Sequence, residues 1–317
     1  MLVAVVNIAS ALSELSARGA RSHRLDRGEQ TNLAMLAPVL AFVVAIALAP
    51  LMFSFFISLT DYRLTDPTQA KPFVGLGNYL KALQDKAVLE TLGNTIVFTA
   101  GAVSSQVLLA LMLALLMSGE TRFMRALRSL AIMPLALPPL VVGLVWKALY
   151  NPQFGPVAYY LKQIGLSVDR GFLGEFTTAM PAVLVIDMWQ WTPLLMIIFL
   201  AGLKSLPSEV MEAAYVDGAG RAQVFFYVIL PMLLPVIFIG VLLRTMNAFK
   251  VFDIIFATTG GGPGNATSVL NFHIYKVGLT FFDMGYAASL ANILLFMIGA
   301  CCAVYIVLLR RQRAAEF

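Results

Sequence analysis

Two groups of polar side chains interrupt long apolar stretches of the sequence. They are Asp187, Trp189, Gln190 and Trp191 in one stretch, and Arg244, Asn247, Lys250 and Asp253 in another. Planar amides hydrogen-bond to polar solutes, and indole rings stack on flat apolar faces. Polar residues in such stretches are costly and often mark a pathway for a solute. Seven of these residues are therefore the predicted solute pathway: Asp187, Gln190, Trp191, Arg244, Asn247, Lys250 and Asp253. Among them, Gln190, Trp191 and Asn247 are suited to contact a polyhydroxylated solute.

The second group has a regular spacing of three residues, from Arg244 to Asp253. Steps of three move slowly around a helix, so these residues would form one slanting stripe that faces a cavity or another helix. The alternative is structural, with Arg244 paired to a carboxylate and Asp253 capping the outer end of the segment. Arg244 and Lys250 suit an anionic solute, whereas Asp187 and Asp253 would neutralise them, and the sequence leaves both open.

A third candidate site is the polar loop from Lys204 to Pro231. Ser208 follows Pro207 as a candidate N-cap, and an alanine-rich helix is predicted over Glu209–Tyr215. Gly218 and Gly220 would end this helix, and a second helical run is predicted over Arg221–Leu230.

The chemistry of this loop favours docking onto another protein. The small side chains of Ala213, Ala214 and Gly218 let a second backbone approach closely. Glu209, Glu212 and Asp217 offer carboxylates to arginine or lysine on a partner. An interfacial amphipathic helix that only connects two membrane segments is the alternative.

Composition indicates the class of protein, and therefore the kind of segment that carries these sites. Of 317 residues, 60% are hydrophobic and only 12% are charged, against about 25% charged in soluble domains. This composition predicts an all-α integral membrane protein. The net charge of +5 collects at the two tails and in one short loop, which argues against nucleic-acid binding. The adjacent Cys301 and Cys302 and the distant His23 and His273 predict no metal site.

Six apolar windows are long enough to cross a bilayer. They cover about 33–59, 95–117, 131–149, 180–203, 232–252 and 286–309, between tails at 1–30 and 311–317. The third window holds Pro134, Pro138 and Pro139, so it should kink or start irregularly. Basic residues flank the tails and the loop at Arg122, so both termini and the 204–231 loop are predicted to be cytoplasmic.

The 204–231 loop resembles the EAA loop of ABC-importer permeases. The matching residues are Glu212-Ala213-Ala214, Gly218 and Leu230-Pro231, with Val228 in place of the usual isoleucine. Further segments resemble the maltose, glycerol-phosphate and polyol branch of that family, which implies import of a sugar, a polyol or a sugar derivative. These segments are Phe73–Tyr79, Asn94-Thr95, Phe249–Asp253, Thr259–Pro263, Ala266-Thr267 and Gly285–Ala288.

The resemblance implies the fold of a type I ABC-importer permease with six transmembrane helices in a bacterial inner membrane. It implies that Glu212, Ala213, Ala214, Asp217 and Gly218 couple the chain to an ATPase. It also implies a sister permease in a heterodimer, two ATPase subunits that carry ATP and Mg, a periplasmic binding protein and surrounding lipid. The chain itself would bind no cofactor and catalyse no reaction.

Two other functions compete with this interpretation. A cation-coupled secondary transporter would use carboxylates at mid-membrane, and Asp187 is the only good candidate. A membrane scaffold without transport activity is the second. The glycine-rich run from Gly260 to Gly264 lacks the lysine of a phosphate-binding loop, so nucleotide binding by this chain is not expected.

Overall fold

The computed structural model describes residues 27–66, 68, 71–166 and 170–315. Residues 1–26 of the predicted N-terminal tail (1–30) lie outside the described residues. Residues 316 and 317 of the predicted C-terminal tail also lie outside them. The helices are α1 (Arg27–Ser58), α2 (Gly77–Gln84), α3 (Lys86–Leu116), α4 (Arg122–Ile132), α5 (Pro139–Leu149), α6 (Pro156–Gln163), α7 (Ala179–Lys204), α8 (Ser208–Val216), α9 (Arg221–Val224), α10 (Leu230–Ala248), α11 (Asp253–Thr258), α12 (Leu270–Tyr275) and α13 (Met284–Ala315).

The all-α membrane class is confirmed. Four helical segments are long and apolar enough to cross a membrane: Lys86–Leu116, Ala179–Lys204, Arg221–Ala248 and Met284–Val307. A bent pair formed by Arg122–Ala136 and Pro139–Leu149 adds a fifth candidate, and α1 contains a shorter apolar helix at Phe42–Ser58. The count of six spans stays a prediction. Two isolated bridges, Thr60 with Phe73 and Arg63 with Asp283, are the β-type pairings in the described residues.

The proline cluster of the third window breaks the helix, as its sequence predicts. A 3-10 turn at Met133–Ala136 separates α4 from α5, and the two parts meet at 100°. Pro134 and the pair at 138 and 139 lack the N–H groups that a continuous helix needs, and their rings clash with the preceding turn. As a result α4 turns away from the direction of α5.

A second proline explains a widened turn between α9 and α10. Residues Phe225–Ile229 form a π-helical turn just before Pro231, which lies in the first turn of α10. Because Pro231 cannot donate to the preceding turn, the i→i+4 pattern gives way there to longer bonds. The helical run predicted over Arg221–Leu230 is confirmed, with this irregularity inside it.

Two local expectations about helix ends are wrong. Ser208 is not an N-cap: α8 begins at Ser208 itself, Pro207 is the capping residue, and no side chain caps the helix. The fifth span does not continue to Phe252, because α10 ends at Ala248 and a new helix starts at Asp253. The side-chain amide of Asn271 donates to the Lys250 carbonyl at 2.8 Å, so this backbone group between the two helices has a hydrogen-bond partner.

The core lies between the long helices and divides into three clusters. One joins α3, α7 and α11 around Phe98 and Ile186. A second packs α13 against the start of α3 and the end of α10 around Leu290. A third holds α3 and α7 together around Ala110 and Phe199, with α10 against it. Together they fix α3, α7 and α10, the three helices that carry the polar groups of the spans.

Several residues of the resemblance motifs tie loops to helix ends. The Asn78 amide donates to the carbonyls of Ser58 (2.8 Å) and Thr60 (2.9 Å). The Asn94 amide donates to the Asn265 carbonyl at 2.8 Å, and the Thr95 hydroxyl accepts the Leu270 N–H at 2.8 Å. These motif residues satisfy loop backbone groups that would otherwise lack partners.

Candidate functional site

A buried polar triad joins three of the membrane helices. Arg244 on α10 donates through Nη2 to Asp187 Oδ2 on α7 and through Nε to Gln106 Oε1 on α3. Gln106 completes the triangle by donating from Nε2 to Asp187 Oδ2 at 2.7 Å. Each of these residues is at most 1% exposed. Charged groups so far from water must be paired, and here the positive and negative charges are matched.

Gln106 is the member of this site that sequence reasoning missed. It interrupts an apolar part of α3 in the same way that Asp187 interrupts α7, and this is the signal that could have identified it. The pairing of Arg244 with a carboxylate, left open by the sequence, is the arrangement observed.

A cavity of about 250 Å³ opens beside the triad. Its lining consists of Pro139, Asp187, Trp191, Arg244, Asn247, Lys250, Val251, Phe252, Asp253 and Ile254. The structure therefore gathers six of the seven residues predicted for a solute pathway, although α10 ends before Lys250 and Asp253. The stripe expected on one helix is instead made by the end of α10, an irregular turn and the start of α11.

Gln190 is the predicted pathway residue that does not line this cavity. Its side-chain nitrogen donates to the Leu137 carbonyl at 3.0 Å, where the chain bends between α4 and α5. It is 2% exposed, and its side-chain oxygen has no hydrogen-bond partner among the described residues. Gln190 thus satisfies backbone exposed by the proline break.

The aromatic and charged side chains at or near the cavity differ in the contacts they make. The Arg244 guanidinium lies 5.7 Å from the centre of the Trp191 ring, within cation–π range. Trp189 instead packs edge-on against Trp146, with ring centres 5.8 Å apart. Lys250 and Asp253 are both exposed, and neither belongs to an ion pair within the described part of the chain. Their charged groups are therefore available to bind a solute or a partner.

The loop between α7 and α9 forms a second site. None of the side chains of α8 is buried, and Val216 at its end is 87% exposed. Ala213 and Ala214 lie on this exposed helix together with Glu212, and Asp217 follows at its C-terminal end. An exposed helix with both acidic and apolar side chains is suited to docking on another protein.

Gly218 ends α8 through a specific backbone arrangement. Its φ is +84°, a region that glycine enters without steric cost. The N–H of Gly218 donates to the Tyr215 carbonyl at 3.1 Å, and the N–H of Ala219 donates to the Ala214 carbonyl at 3.0 Å. These two bonds form a Schellman motif, which explains why this position of the motif is a glycine.

An ion pair fixes the base of this loop. Lys204, at the end of α7, hydrogen-bonds to Glu120 in the turn between α3 and α4. This hydrogen bond and the lysine charge lower the pKa of the Glu120 carboxyl below its ordinary value. The contact places α4 and α8 on the same side of the membrane helices.

Comparisons with known proteins identify the family of the chain. The family model described as "Binding-protein-dependent transport system inner membrane component" matches residues 106–314. The trehalose/maltose transport system permease protein MalF of Thermococcus litoralis is 33% identical over 88% of this chain and 93% of its own length. The sulfoquinovosyl glycerol transport system permease protein SmoG of Agrobacterium fabrum is 32% identical over 91% of this chain and 93% of its own length.

A solved structure shares the fold. The chain matches a chain in the crystal structure of a bacterial alginate ABC transporter in complex with an alginate pentasaccharide-bound periplasmic protein, with a TM-score of 0.73 and 20% identity over 90% of this chain and 93% of the other. The extent of the family match and of these relatives leads to one conclusion. The chain belongs to the family of inner membrane components of binding-protein-dependent transport systems.

Proposed function

We propose that this chain is a permease subunit of an ATP-driven importer that takes up a sugar, a polyol or a sugar derivative. The observation that carries the proposal is α8, an exposed helix with a fixed glycine end, held between two long membrane helices. The names of the relatives supply the class of solute, since they include carriers of trehalose and maltose and of sulfoquinovosyl glycerol. This chain binds no cofactor in the proposal, and hydrolysis of ATP with Mg takes place on separate ATPase subunits.

The coupling contact is assigned to Glu212, Ala213, Ala214, Asp217 and Gly218. The two alanines allow close approach of an ATPase surface, and Glu212 and Asp217 offer it carboxylates. Because the Schellman motif holds the end of α8 rigidly, a displacement of the docked helix is passed to α7 and α10 and not absorbed in the loop. The two-state movement of the membrane helices then follows nucleotide binding.

The cavity beside the triad is assigned to the solute pathway. Trp191 offers a stacking surface, Asn247 an amide, and Lys250 and Asp253 charged hydrogen-bonding groups. A sister permease would close the open side of this cavity, and a periplasmic binding protein would deliver the solute from outside. In this arrangement both termini and α8 lie in the cytoplasm, in agreement with the basic residues near α4.

A cation-coupled transporter is less well supported by the geometry. It would need a carboxylate free to exchange an ion at mid-membrane. Asp187, the only candidate for that role, accepts hydrogen bonds from both Arg244 and Gln106.

Charge reversal in α8 tests the proposed function. The Glu212→Lys variant should lose most of the ATP hydrolysis that the loaded binding protein stimulates, because it presents a positive charge to the basic groups of the ATPase. The measurement is stimulated ATPase activity of the purified complex, together with the amount of ATPase subunit that co-purifies.

Glu209→Lys is the matched control, since Glu209 is also exposed on α8 and lies one turn earlier, outside the residues assigned to the coupling contact. It should retain most of the stimulation. Equal activity in the Glu212→Lys variant and the native complex would remove Glu212 from the coupling contact.

A further inference from the structure

Helix α4 is placed to lie along the membrane surface. It meets α5 at 100°, so if α5 runs across the bilayer, α4 runs nearly parallel to its plane. No side chain of α4 is buried, although Ala131 and Ile132 pack partly against the cluster between α3 and α7. One side of α4 is thus anchored to the bundle, and the rest faces away from the protein.

The outward part of α4 has two chemically distinct surfaces. Phe123 and Leu130, which are two turns apart, are 68% and 62% exposed. Arg122 and Arg125, one turn apart, are also exposed and form a basic strip on a different side of the helix from Phe123 and Leu130. A helix with separate apolar and basic strips is typical of the boundary between acyl chains and headgroups.

Arg122 and Arg125 form no ion pair in the described part of the chain, although the Glu120 carboxylate lies close enough to Arg125 to attract it weakly through space. Arg128, the third arginine of α4, donates to the carbonyls of Met117 (2.8 Å) and Gly119, and so caps the end of α3. Glu120, the nearby carboxylate, is engaged by Lys204. Across the described residues, neither Arg122 nor Arg125 takes part in an ion pair.

We propose that Arg122 and Arg125 bind the phosphate headgroups of anionic phospholipids in the inner leaflet, while Phe123 and Leu130 enter the acyl boundary. Charge complementarity and the orientation of α4 favour lipid over a protein partner. The exposed apolar surface also continues beyond α4 to Met133 (63% exposed) and to Leu116 (64% exposed) at the end of α3. An apolar surface continuous with that of a spanning helix suits the acyl boundary of the bilayer.

This inference goes beyond solute transport, although it rests on the proposed cytoplasmic side of α4. The contact between Glu120 and Lys204 puts α4 on the same side as α8. Headgroup binding there would hold the α3–α4 turn at the membrane surface while α8 moves with the ATPase.

Lipid retention tests the proposal without depending on transport. The complete transporter, in nanodiscs of phosphatidylcholine with a minor fraction of phosphatidylglycerol, is released into the gas phase, and the bound phosphatidylglycerol is counted by native mass spectrometry. Each arginine near an anionic surface contributes a factor of about five to binding. The Arg122→Gln/Arg125→Gln variant should therefore retain at least roughly tenfold less phosphatidylglycerol at a limiting lipid fraction.

The matched control is Lys162→Gln/Arg170→Gln, which removes the same charge from exposed positions near α6, on the segment between α5 and α7. It should retain phosphatidylglycerol at the native level. Equal retention in the α4 variant and this control would overturn the proposal.

A photoreactive benzoylphenylalanine in place of Phe123 identifies what covers α4. Illumination of the assembled complex should give an adduct with phospholipid, found by mass spectrometry of the peptide that contains α4. An adduct with an ATPase subunit or with the sister permease would overturn the proposal. Because this readout needs only an assembled complex, it stays decisive even if the importer function proves wrong.

Discussion

The triad of Gln106, Asp187 and Arg244 shows how single polar residues join membrane helices. Its charges are matched, and the three hydrogen bonds connect α3, α7 and α10 through buried side chains. Two of its members, Asp187 and Arg244, also line the cavity assigned to the solute. A residue in the cavity wall can therefore be structural and still shape the pathway.

Removing one member of the triad should destabilise the protein more than removing the pair. Arg244→Leu leaves Asp187 charged and buried, which costs about 3–5 kcal/mol. The Asp187→Leu/Arg244→Leu double variant leaves no charge behind and should unfold at a higher temperature than either single variant. The measurement is thermal unfolding of the purified complex in detergent. Additive losses in the double variant would show that the two side chains do not act as a pair.

The sequence predicted the residues of the cavity better than their arrangement. The sequence identified Asp187, Arg244 and Lys250 because a charged side chain in an apolar stretch is costly and is found where it is paired or functional. Gln106 was missed because its apolar stretch contains no charged residue, whereas Gln190 and Asn247 lie in stretches that do. The partner of Arg244 could not be chosen, since pairing depends on which helices pack together, and a single sequence does not specify this.

At the scale of the helices, two kinds of break position the sites. The proline cluster turns α4 away from α5, and Gly218 ends α8. Both breaks were predicted from the residue types at these positions. The end of α10 at Ala248 was not predicted, because residues 249–252 contain neither proline nor glycine. The break there depends on tertiary contacts such as the bond from Asn271 to the Lys250 carbonyl.

The contact between α7 and α10 depends on small residues. A Cβ atom at Gly202 would lie 2.7 Å from Leu233 Cδ1 and 2.9 Å from Val236 Cγ1. Close approach at glycine is the usual way in which membrane helices pack. This contact connects the two helices that flank α8, so it lies on the path by which movement of α8 reaches the cavity.

Gly202→Ala should separate α7 from α10 and cost about 1–3 kcal/mol through overpacking. Gly299→Ala on α13 is the control, because a Cβ there meets nothing within 4 Å, and it should be neutral or slightly stabilising. Unfolding temperatures of the two variants, measured in the same detergent, give the comparison. A Gly202→Ala variant as stable as Gly299→Ala would contradict the close packing.

At the scale of the whole molecule, the two sites lie at different positions on the same helices. The cavity is formed where α7 and α10 carry their polar groups, and α8 connects the opposite ends of the same two segments. Composition predicted the membrane class, and a long sequence motif predicted the docking loop. The count of spans needs the position of the bilayer, which neither the sequence nor the helix lengths supply.

Solute uptake by the reconstituted complex tests the central claim most directly. The native chain, with its sister permease, ATPase subunits and binding protein, is placed in sealed proteoliposomes that contain ATP and an ionophore, and entry of radiolabelled solute is followed over time. The account predicts uptake that requires ATP and continues when ion gradients are collapsed. Uptake that stops with the ionophore and proceeds without ATP would contradict it.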